Sequence, residues 1–267
     1  MTMPIVTIDG FRVEVPQEAT VLEAACQAGA WIPTLCCHPA LPPLATCRLC
    51  MVELDRGDWK QLITACNYPV RRDITVSVNS EAAVRARRGV MQLLLARASG
   101  SVELRALAHR MGVETTPFPK VTEAERNCVL CGLCTRVCEE AIGCSAIGFA
   151  GRGADRQVVP PFRLAAEHCI ACGACAALCP VGTIEMHVDA AKGEVEIIPF
   201  KARVKLQVCA GCGEPMLPEP ALRRVLNKMG LDWEEFRARL KLCPQCRRKQ
   251  TAVALALGAT SYQDNQS

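Results

Sequence analysis

The placement of cysteine constrains this chain more than any other feature. Of its 19 cysteines, 16 fall into four groups of four. The first is Cys36, Cys47, Cys50 and Cys66; the second Cys128, Cys131, Cys134 and Cys138. The third is Cys169, Cys172, Cys175 and Cys179, and the fourth Cys209, Cys212, Cys243 and Cys246. Cys26, Cys37 and Cys144 stand outside the pattern. At 19 in 267 residues the density lies just under that of a small disulfide scaffold, so compartment decides what the thiols do.

The start, Met1 to Gly10, carries neither a basic n-region nor an apolar h-region, so no secretory signal is read there. No uncharged run approaches the roughly 18 apolar residues of a membrane span, and Ala252–Leu257 is far too short. A cytoplasmic, reducing setting is expected, in which clustered cysteines bind metals or carry electrons. Hydrophobic and charged fractions of 50% and 22% exclude disorder, and 4% aromatics exclude an aromatic-rich core. A dispersed net charge of +4 does not suggest a nucleic-acid partner.

The pattern predicts an α+β chain in successive modules. Val6–Val15 alternates around Asp9-Gly10, a strong hairpin signal. Thr20 with Glu23 forms a capping box opening a helix to about Gly29, and Cys26 falls on its apolar face. Short strands are expected at Met51–Leu54, Lys60–Ile63 and Asp73–Val78, which suits a β-grasp sheet holding a cluster in its long loop. Helices are predicted over Ser80–Ala98 and Val102–Met111, the first with Leu93, Leu94 and Leu95 inward and Arg85, Arg87, Arg88 and Arg97 in solvent. Strands follow at Glu194–Ile198 and Ala202–Val208, then helices at about Glu219–Met229 and Asp232–Leu240. The expected domains are 1–79 (β-grasp), 80–120 (helical linker), 121–200 (two-cluster ferredoxin-like), 201–250 (four-cysteine module) and 251–267 (tail).

The first group is spaced C-x10-C-x2-C-x15-C. Three thiolates on one loop and a fourth from a distant strand can surround a two-iron rhomb, so a [2Fe–2S] cluster is expected; a zinc site is the alternative. The second and third groups are both C-x2-C-x2-C-x3-C, the third ending in Cys179-Pro180. This is the bacterial ferredoxin run, whose fourth cysteine ligates the other cluster. Cys128, Cys131, Cys134 and Cys179 are therefore assigned to one [4Fe–4S] cluster, and Cys138, Cys169, Cys172 and Cys175 to another. The fourth group is two knuckles, Cys209-Ala210-Gly211-Cys212 and Cys243-Pro244-Gln245-Cys246, able to offer four thiolates tetrahedrally to one ion. Two inserted helices lengthen it beyond the usual zinc ribbon. Zinc is the expected occupant; a rubredoxin-like iron, with Trp233 and Phe236 as nearby aromatics, is the alternative. Cys37 follows a ligand directly and cannot easily face the same iron, and Cys144 has no motif. His38, His109, His168 and His187 are isolated.

No G-x-G-x-x-G opens a helix after a strand, no Walker loop occurs, and no Ser/His/Asp set is legible. The glycines of Gly148–Gly153 have the wrong spacing and read as a tight turn beside a cluster. No catalytic residue is expected: the chain reads as a conductor of electrons between other subunits.

Ile32-Pro33-Thr34-Leu35-Cys36 and Cys47-Arg48-Leu49-Cys50-Met51-Val52-Glu53 resemble the [2Fe–2S] domain in the large iron–sulfur subunit of respiratory complex I. That subunit adds a cluster held by one histidine and three cysteines, but no cysteines accompany His109. The module order is most similar to the small diaphorase subunit of NAD(P)-linked [NiFe]-hydrogenases, including bifurcating ones, and to matching subunits of NAD-dependent formate dehydrogenases. Asn127-Cys128-Val129-Leu130-Cys131 and Gly151-Arg152-Gly153 belong to that resemblance, which covers about residues 1–200. The knuckles after residue 205 depart from the simplest such subunits. The resemblance implies a hetero-oligomer, with a flavin subunit binding NAD(P)H on one side and a hydrogenase or formate dehydrogenase catalytic subunit on the other. Another multisubunit reductase, or a structural scaffold with zinc knuckles, is the competing reading.

Overall fold

A computed structural model describes residues 3–121 and 127–256. The chain forms two compact bodies, one from residues within 1–164 and 174–185, the other from 165–173 and 186–267.

The first body opens with the hairpin of β1 (Ile5–Ile8) and β2 (Phe11–Glu14). Its turn residues Asp9 and Gly10 both lie at positive φ, 46° and 91°, as a two-residue turn matched to strand twist requires. α1 (Val21–Gln27) starts at the expected capping box: Glu23 N–H donates to Thr20 Oγ1 at 3.2 Å, and Thr20 N–H donates to Glu23 Oε2 at 2.6 Å. β3 (Met51–Asp55), β4 (Lys60–Thr64) and β5 (Ile74–Ser77) complete a five-stranded sheet in the order β2-β1-β5-β3-β4. β5 inserts centrally, parallel to β1 and antiparallel to β3. Val21, Ala24 and Ala25 of α1 bury against Val6, Ile8, Val52, Leu54 and Val76 of the sheet. Cys26, expected in that core, is exposed instead, because α1 is only two turns long and spends its inward face on Val21, Ala24 and Ala25.

α2 (Glu81–Arg97) and α3 (Val102–Arg110) are capped by Ser80 and Ser101. The inward stripe of α2 is Ala83, Arg87, Met91 and Leu95, a run of i, i+4 neighbours on one helix face. This corrects two expectations. Leu93 points outward, 54% exposed, while Arg87 is 6% exposed and donates from Nη2 to the Val78 carbonyl at 2.7 Å. A long side chain can bury its stem and still place its donors on a carbonyl, and so Arg87 joins α2 to the end of β5. A second core then gathers Leu35, Leu41 and Leu49 of the cysteine loop with Met91, Leu95, Leu104 and Ala108 of the helices. Val129, Leu133, Val137 and Val181 close it. Ser101 Oγ reaches the Val181 carbonyl at 3.0 Å.

α4 (Leu133–Arg136) passes directly into a π-helical segment, Val137–Ile142. β6 (Gly148–Ala150) pairs antiparallel with β7 (Gln157–Val159), so the glycine-rich run starts as a strand and turns only at Gly151. α5 is Ala174–Ala177.

The second body holds β8 (Glu185–Asp189), β9 (Glu194–Ile198) and β10 (Ala202–Lys205) as a sheet ordered β10-β9-β8. β8 was not among the expected strands; Met186 and Val188 alternate with Glu185, His187 and Asp189, but nearly all its side chains are exposed. The strand expected over Ala202–Val208 breaks at Leu206. Its end becomes β11 (Gln207–Val208), paired with β12 (Pro215–Met216). α6 (Glu219–Lys228), α7 (Trp233–Arg237) and α8 (Pro244–Ala256) follow. The rest of the expected tail lies outside the described residues. No helix among them is long and apolar enough to cross a membrane.

Replacing Arg87 by Met should strand the buried Val78 carbonyl and lower stability by about 1–3 kcal/mol, the usual penalty for an orphaned buried acceptor. Arg85→Met, which removes only an exposed i, i+4 pair with Glu81, should change it by less than about 0.5 kcal/mol. Thermal unfolding of the two variants checks the difference; equal losses would refute the clamp.

Candidate metal centres

The first cysteine group is built by the loop between α1 and β3 and by the turn after β4. Cys36, Cys47, Cys50 and Cys66 are 2%, 7%, 1% and 1% exposed. Cys47 N–H donates to Cys36 Sγ at 3.4 Å, and Ala65 N–H donates to the Cys50 carbonyl at 2.9 Å, tying the distant fourth cysteine to the loop. Hydrogen bonds from the Cys47 and Cys66 thiols pull Cys36 down to about 2, and the Cys66 thiol pulls Cys50 down to about 7. The same contacts push Cys47 and Cys66 upward. Four thiols thus contend for two protons in a dry pocket, a donor set that metal ions satisfy by displacing the protons.

The second group follows Asn127. Leu130 N–H donates to Cys128 Sγ at 3.4 Å, with Leu130 and Gly132 at positive φ. Cys169 repeats the device: Ala171 N–H donates to its Sγ at 3.4 Å, with Ala171 and Gly173 at positive φ. These left-handed residues curl each C-x2-C so that a backbone donor faces sulfur. Burial is the leading cause that raises the thiols of Cys128, Cys131 and Cys134, taking Cys131 to about 12. The charge of Cys179 adds to the rise in all three, whereas Cys138 is not among the leading influences on any. Cys138 instead receives Ala146 N–H on its Sγ at 3.3 Å. In the third group, Cys169 and Cys172 lie in the second body, and Cys175 and Cys179 in the first.

The two motifs of the first body are neighbours. Cys36, Cys47 and Cys131 share one apolar core with Leu49, Leu133 and Val137, and the charge of Cys36 reaches the Cys131 thiol.

In the fourth group all Sγ atoms of Cys209, Cys212, Cys243 and Cys246 lie within 4.8 Å of one another. Cys212 and Cys243 are 3.7 Å apart, close to the ~3.8 Å edge of a tetrahedron with metal–sulfur bonds of about 2.3 Å. The geometry suits one ion rather than a cubane. Cys209 Sγ accepts from Cys243 N–H at 3.2 Å and Gly211 N–H at 3.4 Å, which hold its thiol down at about 6. A Cβ on Gly211 would stand 3.1 Å from Cys246 Sγ, a tight approach that the sulfur would have to yield to. Cys243 Sγ accepts from Cys246 N–H at 3.4 Å. The group can hold a metal.

One residue at these centres escaped sequence reasoning. Arg97, expected in solvent, donates from Nε to the Cys128 carbonyl at 2.9 Å. Nothing in the text around it signals this, since its partner lies 31 residues away. Cys37 is half-buried and packs against the sheet core, its thiol raised by burial.

Residues 3–81 match a 2Fe-2S iron-sulfur cluster binding domain and residues 164–185 a 4Fe-4S binding domain. The chain is similar to NADPH-Fe(3+) oxidoreductase subunit alpha of Geobacter sulfurreducens, 33% identical over 57% of this chain and 20% of that one. NADP-reducing hydrogenase subunit HndD of Solidesulfovibrio fructosivorans is 32% identical over 70% of this chain and 37% of its own length. Among solved structures, NAD+-reducing [NiFe]-hydrogenase in the H2-reduced state aligns with a TM-score of 0.53 at 30% identity, covering 59% of this chain and 75% of that one. The chain thus spans 20% and 37% of these two curated relatives.

If Cys179 rather than Cys138 closes the Cys128 set, Cys138→Ala should alter the same paramagnetic signal as Cys169→Ala. The signal lost in Cys128→Ala should persist. Loss of that signal in Cys138→Ala, with the Cys169-dependent one intact, would mean each motif closes on itself.

Proposed function

The chain belongs to the family of iron–sulfur subunits of NAD(P)-linked hydrogenases and NADH-quinone oxidoreductases, and from that premise we propose that it relays electrons between a flavin subunit oxidising NAD(P)H and a catalytic subunit. The catalytic subunit we favour is a [NiFe]-hydrogenase. Its formate dehydrogenase counterpart follows from the same reading, and both sit in a cytoplasmic hetero-oligomer.

The ligand sets proposed are Cys36, Cys47, Cys50 and Cys66 for a [2Fe–2S] cluster, and Cys128, Cys131, Cys134 and Cys179 for a [4Fe–4S] cluster. Cys138, Cys169, Cys172 and Cys175 take a second [4Fe–4S] cluster, and Cys209, Cys212, Cys243 and Cys246 a structural zinc. The modules carrying them run 1–79, 80–120, 121–200 and 201–250. Bound clusters supply one-electron carriers, and the residues around them decide where electrons go. Burial of Cys36, Cys50 and Cys66 excludes water from the first centre. Backbone donors from Leu130 and Ala171 face the sulfurs of Cys128 and Cys169, and such bonds tune potential.

The observation that carries the reading is the shared core. The loop bearing Cys36 and Cys47 packs with the turn bearing Cys131 in one apolar core that also holds Leu49 and Leu133. Two centres held across one packed interior suit a relay.

Reconstituted with iron and sulfide, the isolated chain should be reduced by dithionite but not by NADH. In the assembled complex, Cys172→Ser should abolish electron transfer from NAD(P)H to the catalytic subunit while each partner still turns over with its own artificial dye. Reduction of the isolated chain by NADH would overturn the proposal.

A further inference from the structure

We propose that Arg97 is a positioning residue that raises the reduction potential of the centre held by Cys128, Cys131, Cys134 and Cys179, by fixing an unneutralised cation on the backbone of its first ligand. The inference rests on that ligand set.

Arg97 is the last residue of α2, where the helix dipole favours a cation. Its guanidinium is held by three carbonyls: Nε donates to Cys128 at 2.9 Å, Nη1 to Ala154 at 3.4 Å and Nη2 to Arg156 at 2.6 Å. These acceptors come from the turn of the second motif and from the segment leading into β7. The planar fork is therefore fixed in place rather than swinging in solvent. Among the described residues no carboxylate pairs with it.

The neighbouring arginines differ. Arg136 is bonded through Nε and Nη2 to Glu140 at 2.7 and 3.0 Å, which cancels its charge. Arg156 lies with its guanidinium 4.2 Å over the Phe149 ring. Arg87 is turned to Val78. Arg97 alone among these four combines contact with a ligand residue and an uncompensated charge.

A cluster on four thiolates gains one further negative charge when it accepts one electron from an external reductant. A fixed cation lowers the energy of the reduced form more than that of the oxidised form, and more strongly in a partly dry site than in water. Arg97 thus supplies a charge where Leu130 N–H supplies a dipole.

The clamp on Ala154 and Arg156 gives Arg97 a structural role as well, so the test separates charge from shape. Arg97→Gln keeps a donor and loses the cation; Arg97→Lys keeps the cation and loses the fork. The full chain is reconstituted with iron and sulfide, its iron is counted, and each cluster signal is titrated against potential by electron paramagnetic resonance. Absence of two [4Fe–4S] signals from the unaltered chain would defeat the ligand sets themselves. With both present, Arg97→Gln should lower the reduced-to-oxidised ratio of one of them about tenfold at a fixed potential, about 59 mV for a one-electron couple. Arg97→Lys should stay within about threefold of the unaltered chain, and Arg85→Gln, at the far end of the same helix, should move nothing. Equal shifts in Gln and Lys variants, or no shift with full iron, would overturn the role. If Arg97→Gln fails to load iron, Arg97→Lys decides alone: an unaltered ratio supports the charge, and a tenfold drop overturns it.

Discussion

Sulfur packed against sulfur in a water-poor interior is the constraint on which the rest of the fold depends. Cys36, Cys47, Cys50 and Cys66 are all less than a tenth exposed, and Cys47 N–H donates to Cys36 Sγ at 3.4 Å. Their full ionisation without a cation would cost several kcal/mol per buried charge. The backbone is arranged around that demand. Left-handed residues at Leu130, Gly132, Ala171 and Gly173 bend the chain back on itself, and N–H groups of Cys47, Leu130, Ala171 and Gly211 are aimed at sulfur. Within each body, the surrounding elements hold those turns in place.

Two spacings of sulfur separate two kinds of centre. Among the described residues, the Cys209 group has its Sγ atoms within 4.8 Å of one another, as one tetrahedral ion demands. The second and third groups, proposed as [4Fe–4S] ligands, each offer three cysteines from one turn. The charge of Cys179 felt at Cys128, Cys131 and Cys134 fits a fourth ligand that arrives from the other motif. Cys36 and Cys131 share one core in the first body, which is the packing that the proposed relay would use.

Legibility followed the range of the interaction. The capping box at Thr20 and Glu23, the Asp9-Gly10 turn and the cysteine knuckles are each set by residues a few positions apart, and all formed as read. Arg87 and Arg97 looked like solvent-facing charges because their partners, Val78 and Cys128, lie 9 and 31 residues away. Cys26 turned outward because a two-turn helix has room for only one inward stripe. β8 alternates polar and apolar residues over only five positions and buries neither face, so its pattern is too short to mark a strand by itself.

Of the 19 cysteines, 16 are proposed to divide into three iron–sulfur ligand sets and one single-ion set. Mössbauer spectroscopy and elemental analysis of the anaerobically purified chain address that division most directly. About ten irons are expected, as one [2Fe–2S] and two [4Fe–4S] clusters, with about one zinc and no mononuclear iron. About eight irons or fewer in fully loaded protein, or a zinc count rising at the expense of a cluster, would contradict it.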